Sequence, residues 1–354
     1  MLVAKLTEEY EQLSIENVPE PEVGRGEVLV DVEVASLCGT DLHYSQGRLL
    51  PDTLPVVSGH EGAGVVVDVG DDVEGLSEGD HVVINYVLSC GDCVPCANGH
   101  DTRCRRRRDV SVDVPGTFSE RMAVPARAAI PVAEDVPLEW GSIAACAVST
   151  AYHAVTRSGL SNGETALVFG AGGVGLHAIL WASFFGAARV VAVDPAQEKL
   201  AAAREYGADV TIDPGRADVL EEVAAVTDDL GVDVAIECSG ATVAMEQAID
   251  AVDGDAKIAE SGTVVAVGRQ SEPFEATMEQ LMEGQIRVSA DHNRNELREI
   301  LDLLETGRVD LSKSITHRVS LPEINDGLDL LARAHGGGED ALDERVGRIV
   351  VEMP

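Results

Sequence analysis

At 354 residues the chain is about twice the usual length of one domain, so two domains are expected, with room for a substantial core. The net charge of −36, from 62 acidic against 26 basic residues with lysine only at Lys5, Lys199, Lys257 and Lys313, excludes nucleic acid and anionic membrane as partners. With 45% hydrophobic residues and no uninterrupted apolar run long enough to cross a bilayer, the composition is that of a soluble globular protein, and the excess charge points to a salt-loving host whose ions screen the self-repulsion.

The first ten residues, MLVAKLTEEY, carry neither the basic start nor the apolar stretch of a secretory signal, so a reducing cytoplasmic location is expected. Residues 1 to about 150 are dense in valine and glycine. Val28, Val30, Val32 and Val34 alternate with Leu29, Asp31 and Glu33, the period of a half-buried strand, and further strands are expected at 64–69 and 81–85. This part reads as a β-rich, barrel-like domain.

Within it, Cys90, Cys93, Cys96 and Cys104 stand at intervals that let four thiolates wrap one tetrahedral ion. Four protein sulfurs close the shell, which describes a structural zinc site in a lobe of about 89–108, because catalysis needs an open coordination position. The arginine run 105–108 behind it is expected to pair with acidic surface.

A helical pattern follows over 140–156, and then β–α alternation with strands expected at 165–169, 189–194, 210–213, 232–237, 263–268 and 285–290. Six such strands predict a doubly wound parallel sheet. Directly after the first of them, VFGAGGVG sets Gly170, Gly172 and Gly175 in GxGxxG spacing, with Gly173 and Val174 opening a helix whose N-terminus can receive a pyrophosphate. Asp194 ends the next strand, where a carboxylate can accept from ribose hydroxyls and would meet a 2′-phosphate at close range, so NAD is expected over NADP; Lys199 could reach the same ribose. The tail has a helix near 295–305 and a closing GRIVVEM strand, with an acidic loop at 334–344.

Three cysteines remain, Cys38, Cys146 and Cys238. Cys38, His60 and Cys146 would make a set of two thiolates and one imidazole that leaves zinc one open position, although each alone reads equally as a core cysteine or a structural histidine. Cys238 is read as a core residue.

GHEGAGVVVDVGDDV with Gly59, His60, Glu61, Gly64, Gly70 and Val73, the four-cysteine lobe, ACAVSTAY around Cys146 and the GAGGVG loop together resemble the zinc-containing medium-chain alcohol dehydrogenase family, in the family's order and over nearly the whole chain. The resemblance implies a GroES-like β-barrel catalytic domain (1–150 and 291–354) interrupted by a Rossmann NAD-binding domain (151–290), with the active site in the cleft between them. It makes Cys38, His60 and Cys146 the catalytic zinc ligands, with Glu61 a carboxylate able to enter the shell and Asp41 the group that orients His60. It implies a proton relay from Thr40 by way of the cofactor ribose to His43, a place for Thr150 near the nicotinamide and one for Arg348 near the pyrophosphate. The implied protein is an NAD-dependent zinc enzyme acting on a small alcohol or carbonyl, as a homodimer or homotetramer. Gly39 departs from the liver-type enzymes, which carry a basic residue there, and CGTDLH looks more like the threonine, sorbitol and microbial alcohol branches. Cys146 instead follows the alcohol type, since those branches often use an acidic third ligand. A polyol, sugar or amino-alcohol dehydrogenase is therefore the alternative, and a non-catalytic zinc-stabilised NAD-binding protein a remote one.

Overall fold

The computed structural model describes every residue except 8–11, 50, 52, 253–261, 270–271, 279, 281–283 and 336–344, so the acidic loop expected at 334–344 falls outside the described residues from 336 onward. The chain divides into two compact units, Met1–Ser149 with Asp291–Pro354, and Thr150–Ala290.

In the first unit a seven-stranded sheet runs in the order Ala129–Pro131, His81–Ile84, Gly62–Val69, Glu27–Leu37, Arg348–Glu352, Ile315–Ser320, with Arg121–Pro125 also pairing with Glu27–Leu37. Its eleven-residue central strand, EVLVDVEVASL, alternates β-branched residues with acids, which suits a pleated surface covered on one side. The even-numbered Val28, Val30 and Val32 enter one core cluster, whereas the odd-numbered Ala35 and Leu37 enter another. A register irregularity between Val32 and Val34 inserts the extra residue that changes which parity faces inward. One strand thereby serves two cores, and Cys38, the residue after its end, packs in the first of them. A three-stranded sheet of Ser14–Asn17, Leu2–Leu6 and Val56–Val57 and a short ladder between Val87–Leu88 and Arg108–Asp109 complete the β-structure of this unit.

The second unit is a six-stranded sheet, parallel throughout, in the order Val210–Ile212, Arg189–Val193, Thr165–Phe169, Val234–Glu237, Thr263–Ala266, Gln285–Val288. The order is third, second, first, fourth, fifth, sixth, and the topological switch lies between the first and fourth strands. TALVF and RVVAV are almost continuously apolar because helices cover both faces of such a sheet. Leu167, Phe169, Val191, Met245 and Ile249 form the centre of this core, each side chain stabilising the fold by about 1.5–3 kcal/mol through burial.

The helical pattern over 140–156 takes a more articulated form than one regular helix. Leu138–Ile143 is α-helical, Ala144–Val148 is a π-turn, and Ser149–Ser158 is α-helical again. The π-turn widens the backbone by one residue without breaking the axis, and Cys146 lies at its middle.

Candidate active site, metal centres and nucleotide loop

Cys38 has extended backbone and is the N-cap of the short helix Gly39–Ser45. Asp41 reaches back over this turn. Its Oδ2 accepts the Cys38 N–H at 2.8 Å, and its Oδ1 stands 3.3 Å from Nδ1 of His60, with both side chains almost wholly buried. One carboxylate thus fixes the backbone of one candidate ligand and the ring of another, which leaves Nε2 of His60 available to a metal. His60 lies between the strands Val56–Val57 and Gly62–Val69, and Cys146 comes from the π-turn.

The donor atoms of Cys38, His60, Glu61 and Cys146 all lie within 4.8 Å of one another, and all four residues are buried. The Cys146 thiol is held up by its hydrogen bond with Cys38 and by burial, while the same bond, opposed by burial, is the largest influence holding Cys38 well below the usual thiol range. Burial works against charge on His60, yet Asp41 raises it well above the ordinary imidazole range. Burial pushes the Glu61 carboxyl up to about 8, against the pull of Arg348. Arg348 donates to Oε2 of Glu61, and Oε1, equally buried, has no hydrogen-bond partner. Two buried thiols and an imidazole beside an unsatisfied carboxylate oxygen form a donor set that a divalent soft-to-borderline cation satisfies, so the residues fit zinc.

Thr40 and His43 stand three residues apart on the helix Gly39–Ser45, a spacing that places them on one face, and both are half-buried.

In the lobe, Sγ separations are 3.4 Å for Cys93–Cys96 and Cys90–Cys104 and 3.9 Å for Cys90–Cys96 and Cys93–Cys104. Zinc–sulfur bonds of about 2.3 Å at tetrahedral angles give edges of about 3.8 Å, so the set is already at ligand spacing and far from the roughly 2 Å of a disulfide. The backbone N–H groups of Cys90 and Arg106 each donate to Sγ of Cys104 at 3.3 Å, and hydrogen bonding from the Cys96 backbone brings Cys93 down to about 6. Of the arginine run, Arg106 pairs with Asp92, while Arg107 pairs with Asp109 and with Asp291, each at 2.7 Å. These are partners within the subunit, on acidic groups.

In the second unit Gly170 has φ +85, and a Cβ on Gly175 would lie 1.7 Å from the Gly170 carbonyl oxygen, so glycine is obligatory at both. Gly172 differs: a Cβ there meets nothing within 4 Å, so protein packing does not require glycine at this position. Gly173 and Val174 open the helix Gly173–Phe184. Asp194 is buried and accepts from the Ala171 N–H at 2.8 Å and the Ala196 N–H at 2.9 Å. It therefore ties the glycine loop to the start of the helix Gln197–Glu205, which carries a half-buried Lys199. Thr150, buried, is the first residue of this unit. Arg348 belongs to the first unit, where its guanidinium is buried against Glu61.

Several side chains around the first cluster escape sequence reasoning. Tyr86 packs edge-on against His60 (centroids 5.4 Å) and against His292 (5.2 Å), and its hydroxyl donates to Asp291 at 2.9 Å. His292 bridges Asn85 and Ser149, and the Ser149 hydroxyl also approaches the Cys146 carbonyl at 3.1 Å. No motif spacing connects residues 85–86 with 291–292; the only cue is polar or aromatic character at positions beside Cys90 and before a helix.

Comparison with known proteins supplies the family. The alcohol dehydrogenase GroES-like domain matches residues 24–134 and the zinc-binding dehydrogenase domain residues 173–306. An L-threonine 3-dehydrogenase of Pyrococcus abyssi is 34% identical over 308 residues, covering 85% of this chain and 86% of that one, and one of Bacillus velezensis is 31% identical over 336 residues, covering 92% and 93%. The solved structure of alcohol dehydrogenase TADH from Thermus sp. ATN1 matches with a TM-score of 0.89 at 26% identity, covering all of both chains. Taken with the paired metal sets and the glycine loop, these matches show that the chain belongs to the zinc-containing medium-chain alcohol dehydrogenase family.

Proposed function

We propose that the protein is a zinc-dependent dehydrogenase that interconverts a small primary or secondary alcohol and its carbonyl, with NAD as the hydride carrier. The observation that carries this reading is the convergence of Cys38, His60 and Cys146 with Glu61, which has a buried oxygen left without a partner. Zinc held there supplies a Lewis acid that lowers the pKa of the substrate hydroxyl, and the nicotinamide supplies the hydride acceptor. Asp41 holds His60 in the ligating tautomer. The Arg348 guanidinium offsets part of the negative charge of the thiolates and Glu61. Thr40 would accept the proton that leaves the alcohol while its own hydroxyl proton passes on toward His43. Gly172 leaves room for the dinucleotide, Gly170 and Gly175 let the turn and the helix pack closely beside it, and the Asp194 carboxylate favours a free ribose over a 2′-phosphate.

A second reading, an amino-alcohol dehydrogenase, is favoured by the two threonine dehydrogenases among the relatives and by Gly39. Six of the seven cysteines fall in the two candidate metal sets rather than in disulfides, which accords with a cytoplasmic location, and assembly as a homodimer or homotetramer rests on the family alone. The test is NADH and NADPH formation by zinc-analysed protein in high KCl on simple alcohols, polyols and L-threonine. Turnover with NAD on a simple alcohol supports the first reading, and turnover confined to L-threonine or to polyols selects the alternative. No turnover on the whole panel by protein that retains both zincs contradicts both.

A further inference from the structure

We propose that the four-cysteine lobe positions the ligand His60 through a chain of side chains, Arg107 to Asp291 to Tyr86, with Tyr86 as the positioning residue; the proposal rests on the reading that Cys38, His60 and Cys146 hold zinc. A histidine ligand has two side-chain torsions, and two separate contacts restrain this one. Asp41 restrains the ring at Nδ1, and Tyr86 bounds its rotation from a ring plane inclined by 79°. Tyr86 is itself held on three sides. His60 and His292 flank its ring, and its buried hydroxyl donates to Oδ1 of Asp291.

Asp291 has φ +61, a left-handed conformation that a residue with a side chain adopts only at some cost, though least for Asp and Asn. What this conformation achieves is a bridge. One carboxylate oxygen takes the Tyr86 hydroxyl and the other takes Nη1 of Arg107 at 2.7 Å. Arg107 is anchored in turn by Nε on both oxygens of Asp109, at 2.7 and 3.0 Å, and by Nη1 on the Thr102 carbonyl at 3.3 Å. Thr102 and Arg107 lie on either side of Cys104, so the position of Arg107 is tied to the loop that carries the fourth cysteine of the lobe. The lobe thus does more than stabilise a surface: its closure sets the orientation of a ligand at the other metal set.

The test uses the zinc-loaded full chain and the variants Tyr86→Phe and Asp291→Asn. The first keeps the ring and loses the hydroxyl; the second tolerates the left-handed backbone and loses the charge that holds Arg107. Transfer of zinc to a chromogenic chelator is followed for the two sites, and the visible bands of cobalt placed in the three-residue set report its geometry. The expected result for both variants is zinc release from that set about 10-fold faster, shifted cobalt bands, a retained lobe zinc, and a double variant no faster than the faster single one. Native release rates with an unchanged cobalt spectrum would overturn the proposal, as would rates that multiply in the double variant or loss of the lobe zinc first. Should Tyr86→Phe fail to fold, Asp291→Asn alone decides between the same outcomes. If the unmodified protein holds no metal at the three-residue set, the functional reading itself falls and this chain with it; native binding with unaltered variants sinks only the chain.

Discussion

Thr40 and Asp41 are neighbours on one short helix and separate two roles that a single residue could not combine. Asp41 is buried and committed to Cys38 and His60, so it can orient ligands but has no freedom to ferry a proton. Thr40 is half-buried and two residues from the candidate ligand Cys38, which suits transfer. Replacing Thr40 by Val keeps the shape and removes the hydroxyl. Turnover should fall by about 10²–10⁴-fold while zinc content and NAD affinity stay at native values, a contrast that steady-state kinetics and a cofactor titration measure together. Unchanged turnover would remove Thr40 from the relay. The four-cysteine set is readable in the sequence because thiolates at its short intervals suit one tetrahedral ion, whereas Cys38, His60 and Cys146 lie far apart in the chain and come together as a candidate set through the family resemblance and the fold. Tyr86, Asp291 and Arg107 were not readable in this way: their relation is a contact between segments about 200 residues apart, and nothing in a one-dimensional spacing encodes it. Asp194 falls between the two cases. Its place at the end of a strand was readable, but its bonds to Ala171 and Ala196 add a loop-fixing role that residue type alone does not announce.

At the scale of elements, period explains what could be read. The parallel strands are short apolar runs bounded by glycine-rich turns, and all six lie where the sequence places them, to within about two residues at their ends. The central strand Glu27–Leu37 shows why pattern is incomplete, because its bulge changes the buried parity partway along. The π-turn at Ala144–Val148 has the same lesson, since an apolar run of AACAV is compatible with either helical geometry. The lobe is the element with least core of its own: a helix of four residues, a short 3-10 turn and a two-residue ladder. Its order therefore depends on the metal. Cys93→Ala should lose that zinc and lower the melting midpoint by several degrees, read by metal analysis and differential scanning calorimetry. An unshifted midpoint after loss of the metal would show that the ion pairs of Asp101, Arg106 and Arg107 suffice.

For the whole molecule the dominant quantity is charge. Sixty-two acidic residues against 26 basic ones leave most carboxylates without a cationic neighbour, and many of the ion pairs that do form are exposed and worth little individually. Repulsion of this kind is long-ranged at low salt and short-ranged at high salt, the Debye length falling from about 30 Å at 0.01 M to about 3 Å at 1 M. The melting midpoint should rise substantially with KCl over that range, and a midpoint equal at the two ends would refute the salt-dependent reading of the composition. The central claim is that one chain carries two metal sets of different kind, one closed and one open. Zinc stoichiometry of the native protein and of Cys146→Ala, measured alongside NADH formation, tests it most directly. The account predicts two zincs per chain in the native protein, and in the variant one zinc, the four-cysteine site intact and turnover abolished. Two zincs and undiminished turnover in Cys146→Ala would contradict it.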